Sequence, residues 1–379
     1  MFNVIRDLRG LGHDVHVVSF AAESERRAAQ ELEAYCASVS VVPRPRFWLA
    51  RGLLGEPPAT LAHYFSDEMR RTLQRVAHAK SIDVIELESL HMAAYGRSLG
   101  AYPRVLRPQN VEHLIWERYA ATAQIAAVRT LWRIQAARIR SYEARAVAGF
   151  ANSTLAVSEA DRASLKAIAP QARVDVLAMG IDTEHFTPTV GAPVVPWSMV
   201  LTGSFDWAPK RANLAVLIDD VLPLICRRVP TARLSIVGKG LTGRLLAAVR
   251  TRQGVDYVGP VADVRPYIAR SSVVLNYVES GSGIAIKVLE AMAMGKAVVT
   301  NVLGAEGISA ISGRHLLIAS TKAEFADSVT AVMLDQAIAL RLGEAARNLV
   351  LSKYSSAALT RELAVYFQTI LRGFRPMRP

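Results

Sequence analysis

One segment, GSGIAIKVLEAMAMGKAVVTN at 281–301, holds glycine, lysine and glutamate at spacings that suit ligand chemistry. Gly281, Ser282 and Gly283 form a loop leading into a helical pattern. The first turn of a helix carries amide hydrogens with no intrahelical partner, which makes its amino terminus a natural phosphate site. Lys287 and Glu290 are three residues apart, hence neighbours on one helical face, and Gly283 precedes Glu290 by seven on the same side. A lysine beside phosphates and a carboxylate that accepts hydrogen bonds from ribose hydroxyls would grip a nucleotide sugar. A helix cap followed by a surface ion pair meets the same spacing, and GxG loops are common.

Those residues must be positioned by a larger frame. Short β-branched runs alternate with longer helical patterns, the signature of parallel βαβ units. Residues 14–20, 83–89, 104–110, 152–158 and 173–179 read as strands of a first sheet. Residues 197–204, 232–240, 256–261, 272–278, 297–301 and 315–320 read as a second set, and the proline-rich stretch 187–196 as the linker. Ligands collect beyond the carboxyl ends of strands in open parallel sheets, which places Ser204, Gly238 to Gly240, Gly259 and the Glu279 to Gly283 loop on one rim. The expected fold class is α/β, with two Rossmann-like lobes facing a cleft. The chain opens on an amphipathic helical pattern with Phe2, Ile5, Leu8 and Leu11 on one side, where a doubly wound domain would begin with a strand; the first lobe therefore reads as lacking its first strand.

Composition narrows the class. At 379 residues and 51% hydrophobic content, two cores of ordinary size are expected. The formal charge of +12 lies mostly after residue 190 and would attract anions, whether nucleotide phosphates, nucleic acid or lipid headgroups. Cys36 and Cys226 have neither zinc-site nor disulfide spacing, which fits a reducing, cytoplasmic setting. No apolar run reaches the roughly 18 residues of a membrane span. No clustered Asp-x-Asp pair demands a metal, and no GxGxxG follows a first-lobe strand as a dinucleotide dehydrogenase would require.

The 281–301 segment resembles the donor-site signature of glycosyltransferase family 4, in which a glutamate, a glycine-rich turn and a second glutamate eight positions later run into a helix reading LEAMA. Glu290 matches the second glutamate, which in the family contacts the nucleotide ribose. Ser282 stands at the first, with Glu279 nearby on the loop. The form found here is more similar to a bacterial exopolysaccharide-associated subgroup. LTGSFDWAPKRAN at 201–213 is similar to the family's Gly-Arg and following lysine, both bases of which hold the diphosphate; Gly203 and Lys210 match, Ser204 occupies the arginine position, and Arg211 is a candidate to replace its charge. SIVGKG at 235–240 and residues 255–275 resemble second-lobe strands and the nucleobase-facing loop, which implies Gly238 and Gly240 near the ligand and Val261 and Ala262 as base contacts, with Asp263 as a helix cap. RPQNVEHLIWERY at 107–119 resembles the acceptor-side segment often written His-Asn-Val-Glu. Gln109 takes its histidine position, and His113 reads as a structural or surface group. Ser158 and Asp161 form a capping pair, and Met179 replaces a common asparagine in the connection between lobes.

The resemblance implies a GT-B architecture. Residues 1–188 form an acceptor-side lobe completed by a C-terminal helix at 360–372, and 197–355 form the donor-binding lobe. It further implies a retaining, hexosyltransferase-like enzyme in which Lys210 and Glu290 do catalytic work. Donor contacts come from Gly203, Ser204, Lys210, Gly238, Gly240, Val261, Gly281, Ser282, Gly283, Lys287 and Glu290. A nucleotide diphosphate sugar of UDP or GDP type is then the donor substrate, with no metal and no further cofactor. A glycan or lipid-linked molecule is the acceptor and nucleic acid is not a partner. Two rival readings stay open, a nonhydrolysing nucleotide-sugar epimerase and a catalytically degenerate sugar-nucleotide-binding protein in a polysaccharide assembly complex.

A final pattern concerns membranes. AAVRTLWRIQAARIRSYEAR at 126–145 carries Arg129, Arg133, Arg138, Arg140 and Arg145 against the single acid Glu143, with Leu131, Trp132 and Ile139 as apolar bulk. Such a helix suits peripheral contact with an anionic membrane surface, and equally a solvated helix packed on its own lobe.

Overall fold

The computed structural model describes residues 1–22, 25–45, 57–123, 125–206, 208–279 and 283–374. They divide into two compact units, Met1–Gly180 with Ser356–Pro379, and Ile181–Ser355.

The first unit holds two parallel sheets. β1 (His16–Phe20) pairs with β2 (Ser38–Val42), and β3 (Ile85–Glu88), β4 (Arg104–Arg107), β5 (Ser153–Ala156) and β6 (Val174–Val176) form a four-stranded sheet in that order. Sequence reading placed residues 14–20 in one sheet with the later strands and missed β2. The strand reached from β1 through the short helix α2 (Arg26–Glu33) pairs with β1 instead, as a compact crossover favours. Helix α1 (Phe2–Gly10) buries Ile5 and Leu8, whereas Phe2 and Leu11 stay exposed, so the expected apolar side is half its assigned width. Helix α3 (Asp67–Ala79) is capped by Ser66, and a long hairpin of α4 (Glu112–Thr122) and α5 (Ala126–Gly149) is followed by α6 (Glu159–Ile168). Ser158 accepts the Asp161 amide and its hydroxyl donates to the Asp161 carboxylate, the capping pair read from sequence.

The second unit carries six parallel strands: β7 (Ser198–Thr202), β8 (Arg233–Val237), β9 (Val255–Gly259), β10 (Val273–Asn276), β11 (Val298–Asn301) and β12 (Leu317–Ala319). Their order across the sheet is β12-β11-β10-β7-β8-β9. These runs are apolar on both faces because helices cover both. Met199, Leu201, Leu275 and Val299 enter one core with Phe325 and Val329 of α12 (Lys322–Leu334). Val200, Val274 and Val298 project from the other side of the sheet and are equally buried. The chain winds outward from β7 to β9, then restarts beside β7 with β10. The neighbours β7 and β10 are therefore the topological switch point, where a crevice opens beyond the carboxyl ends of the strands.

The last helix, α14 (Ser356–Gly373), belongs to the first unit. Leu363 and Ile370 pack with Val105 and Leu155, and Tyr366 donates to Asp175 at 2.8 Å.

Candidate functional site

Two helices begin at the switch point of the second unit. α7 (Ala208–Val216) follows β7 and carries Lys210 in its first turn; α11 (Ile286–Ala293) follows β10 and carries Lys287 and Glu290. Sequence separation hides the result, which is that the two lysines lie near enough for the Lys210 charge to depress Lys287. Burial first, and the Lys210 charge second, push the Lys287 ammonium down to about 8, with Glu290 partly offsetting both. Burial likewise raises the Glu290 carboxyl, against the pull of Lys287. Neither lysine forms an ion pair or hydrogen bond among the described residues. Two neighbouring ammonium groups with one partly buried carboxylate beside them are electrostatically costly unless an anion joins them.

The backbone adds to that field. The cap residue of α11 is Ala285, which has no side-chain oxygen to satisfy the first-turn amides. Gly283 has φ +81°, a conformation side chains other than hydrogen resist. Gly281 and Ser282 lie outside the described residues. Beneath the crevice, Thr202 Oγ1 and Asn276 Oδ1 are buried at the ends of β7 and β10 without hydrogen bonds among the described residues. Native structures leave few such atoms unsatisfied, so they mark a place built for polar contacts.

Other expected site residues have structural work. Ser204, at the arginine position of the resemblance, donates to Asp206 at 2.8 Å. The Arg211 guanidinium donates through Nη1 to the carbonyls of Phe205 and Asp206 at 2.8 and 2.6 Å and braces the loop that precedes Lys210. Gly203 accepts the closest approach of the neighbouring loop: a Cβ on Gly238 would lie 1.6 Å from its carbonyl oxygen, and one on Gly240 would lie 2.4 Å from the Asp206 amide nitrogen. Glycine at 238 and 240 is thus required by loop packing whether or not a ligand touches it. Glu279 accepts a hydrogen bond from Tyr277, and its amide donates to Asn213 on α7, which ties the β10 loop to the Lys210 helix. Val261 is half-buried on the loop after β9, two strands from β7 or roughly 10 Å along the sheet. Asp263 accepts the Arg265 amide and pairs with its guanidinium, but the residue at the cap position of α10 (Arg265–Arg270) is Val264, so Asp263 stands one residue ahead of the cap.

Sequence reading missed a polar cluster in the first unit. Glu86 and Glu88 end β3 and share Arg107 at the end of β4, at 3.2 and 3.6 Å. Gln109 donates to Glu88 at 3.1 Å. Burial, with Glu86 next, lifts the Glu88 carboxyl to about 7 despite Arg107 and Gln109. The following residue, Ser89, holds φ 71° and ψ 159°, a region nearly reserved for glycine. The spacing of Glu86 and Glu88 puts both on one strand face and was visible; their sharing of one guanidinium was not. His113 is structural, buried against Glu143 with Nδ1 2.6 Å from its carboxylate.

Family models match both units. One described as Glycosyltransferase Family 4 matches residues 1–185, and one described as Glycosyl transferases group 1 matches residues 197–335. The chain belongs to this glycosyltransferase family. It is a glycosyltransferase of GT-B fold, and solved structures agree in architecture. A sucrose-phosphate synthase from Thermosynechococcus elongatus is 15% identical with a TM-score of 0.69, covering 95% of this chain and all of that one. HepE from Anabaena is 13% identical at a TM-score of 0.67, covering 97% and 94% of the two chains. A glycosyltransferase from Rickettsia africae is 13% identical at 0.66, covering 98% and 94%. A search of curated proteins finds no match by sequence.

The depressed Lys287 gives the glycosyltransferase a pH signature. An anion binds the charged lysine, so affinity for a nucleoside diphosphate should be level below about 8 and fall as pH rises through it. The limiting loss is about tenfold per pH unit, since one unit corresponds to about 1.36 kcal/mol. Titration calorimetry between neutral and alkaline pH checks this. Lys287→Arg, which keeps its proton, should flatten the profile, and a profile unchanged by that variant would remove Lys287 from the phosphate site.

Proposed function

We propose that this glycosyltransferase transfers a sugar from a nucleoside diphosphate sugar, with retention at the anomeric carbon, to a glycan or lipid-linked acceptor in bacterial exopolysaccharide synthesis. The observation that carries the donor assignment is the convergence of Lys210 and Lys287 at the switch point. HepE, of similar fold, has been crystallised with UDP and glucose and with UDP-glucose, which supports the nucleotide class.

Each residue then has a task. Lys210, Lys287 and the first-turn amides of α11 hold the diphosphate and stabilise the charge that builds on it as the glycosidic bond breaks. Glu290 accepts hydrogen bonds from the ribose hydroxyls. Gly283, whose backbone takes the left-handed conformation, is assigned to the phosphates together with the Gly281 and Ser282 positions of the donor signature, and Val261 with Ala262 to the base. Retention follows if the departing diphosphate takes the acceptor's proton on the face it leaves, so a pair of protein carboxylates is not required. In the first unit, the Glu88, Arg107 and Gln109 cluster at the strand ends receives acceptor hydroxyls and orients them. The setting is cytoplasmic, where the nucleotide donor is made.

The test is product analysis with radiolabelled UDP- and GDP-sugars and a lipid-linked glycan extract. Transfer with the anomeric configuration of the donor is the expected result. Epimerised nucleotide sugar, an inverted product, or tight binding without turnover would each replace this reading.

A further inference from the structure

The loop that leaves β10 is held from two sides before it reaches α11. The Val278 amide donates to Asn301 Oδ1 at 3.2 Å, and Asn301 Nδ2 donates back to the Val278 carbonyl at 2.7 Å, so one side chain meets both polar groups of that residue as a paired antiparallel residue would. The next amide, that of Glu279, donates to Asn213 Oδ1 at 2.9 Å. Asn301 ends β11 and Asn213 lies on α7, the helix after β7, so the two grips come from the strands that flank β10 on either side. Glu279 is anchored a third time, its carboxylate accepting the hydroxyl of Tyr277, whose buried ring packs edge-on to Phe325.

Satisfying the backbone does not by itself call for these asparagines. Val278 is partly exposed and Glu279 is exposed, so water can take both amides. A fixed side-chain acceptor instead gives the loop one position. Asn301 is itself fixed, because its Oδ1 also accepts the Gly304 amide at 3.2 Å, and the Gly304 carbonyl in turn accepts Asn276 Nδ2 at 3.0 Å. A Cβ on Gly304 would lie 2.3 Å from Thr300 Oγ1 and 2.6 Å from Asn276 Nδ2, so a residue without a side chain lets this turn close over the strand ends. On the other side, Asn213 stands three residues from Lys210, about one turn along α7. The segment that leads to Lys287 is thereby indexed to the helix that carries Lys210.

We propose that Asn213 and Asn301 are positioning residues for donor binding: together they hold the β10 loop, before any nucleotide arrives, in the arrangement that brings the α11 amino terminus and Lys287 to the anion beside Lys210. The inference rests on the assignment of this crevice to a nucleoside diphosphate. Neither asparagine is required to touch the ligand. Their effect on affinity is set by the fraction of molecules whose loop is already in place, since a site that must first be ordered binds more weakly by that fraction.

Calorimetric titration with UDP and with GDP, paired with amide hydrogen exchange on the full chain, tests this. In the wild type the amides of Val278 and Glu279 should be protected without nucleotide. Asn301→Ala should open the first of them to exchange and Asn213→Ala the second, and saturating nucleotide should restore protection. Each variant should bind about fivefold to tenfold more weakly, the net contribution of one or two hydrogen bonds. The double variant should lose less than the product of the two single losses, because both substitutions free the same segment. Val329→Ala, a truncation in the core of the same unit, should lower the melting temperature and leave affinity unchanged, which separates loop position from general loss of stability. Affinity equal to the wild type in both asparagine variants, unchanged exchange at Val278 and Glu279, or an equal loss of affinity in Val329→Ala would overturn the proposal. A wild type that binds neither nucleotide would overturn the donor assignment and this role with it, a result distinct from a wild type that binds and variants that bind equally.

Discussion

Lys210→Ala is expected to lower kcat/KM by about 100 to 1,000-fold, equivalent to about 2.7 to 4 kcal/mol of transition-state stabilisation lost with one preorganised charge contact. The side chain is exposed and makes no hydrogen bond among the described residues, so its removal should leave the melting temperature within the range of ordinary surface substitutions. A second readout follows from the geometry. Lys210 is one of the two causes that depress Lys287, so the variant should move the alkaline fall in nucleotide affinity to higher pH. Steady-state kinetics with the cognate donor, paired with calorimetry across pH, checks both. Wild-type turnover would take the diphosphate contact away from Lys210, and an unshifted pH profile would mean that the two lysines do not share a site.

The second large effect is on stability and arises where no substrate is involved. Glu143, on α5, is fully buried, and its carboxylate accepts the amides of Glu112 and His113 at 2.9 and 3.3 Å and meets His113 Nδ1 at 2.6 Å. It therefore supplies the first turn of α4 with the acceptor that Val111, the residue at the cap position, cannot offer, and places negative charge at the positive end of that helix. Glu143→Ala leaves these donors buried and unsatisfied at about 1 to 3 kcal/mol each, for a total near 3 to 5 kcal/mol. In a unit of this size that corresponds to roughly 10 °C in the first thermal transition. Glu143→Gln retains an acceptor oxygen and should recover more than half of the loss. The variant has a local signature too. Burial and then the Glu143 charge lift the Glu112 carboxyl to about 7, so Glu143→Gln should bring it down. Calorimetry and carboxyl NMR measure these, and an alanine variant as stable as the wild type would show that water satisfies the turn.

Much of the second unit was legible because its signals are local. Each strand is a short β-branched run with a helix before and after it, and Lys210 and Glu290 sit at offsets fixed by a loop and one helical turn. What could not be read were pairings made across the sheet. Nothing in residues 201–213 says that Lys210 approaches Lys287, because that proximity follows from β10 returning to the side of β7. Arg211 shows the complementary limit. Its charge was visible, but its use depends on where the Phe205 and Asp206 carbonyls turn. In the first unit, β2 has alternating valines that signal a strand, yet its five residues between a short helix and a proline were passed over. The apolar face of α5 was misassigned for a different reason. The helix buries Ile139 and Tyr142 against its own unit and exposes Leu131 and Ile134, so hydrophobic residues lie on more than one side and periodicity loses its meaning.

The discontinuity of the first unit bears on how the chain is made. The polypeptide leaves it at Gly180 and returns at Ser356, so closely that a Cβ on Gly180 would lie 2.5 Å from the Ser356 Cα. On the ribosome, residues 181–355 are therefore finished before α14 exists, and Val105 and Leu155 wait without their covering helix while the insert is being synthesised. Closing an unfolded loop of that length costs an entropy that grows only with the logarithm of its size, but it must still be met. The insert meets it by folding. Ile181 pairs with Ser355 and donates its amide to Tyr354 at 2.7 Å, so a completed second unit presents its two ends side by side. The emerging helix is then delivered to the cleft it must fill, where Ser356 donates to Asp7 at 2.7 Å, and a contact between residues far apart in the chain forms as cheaply as a local one.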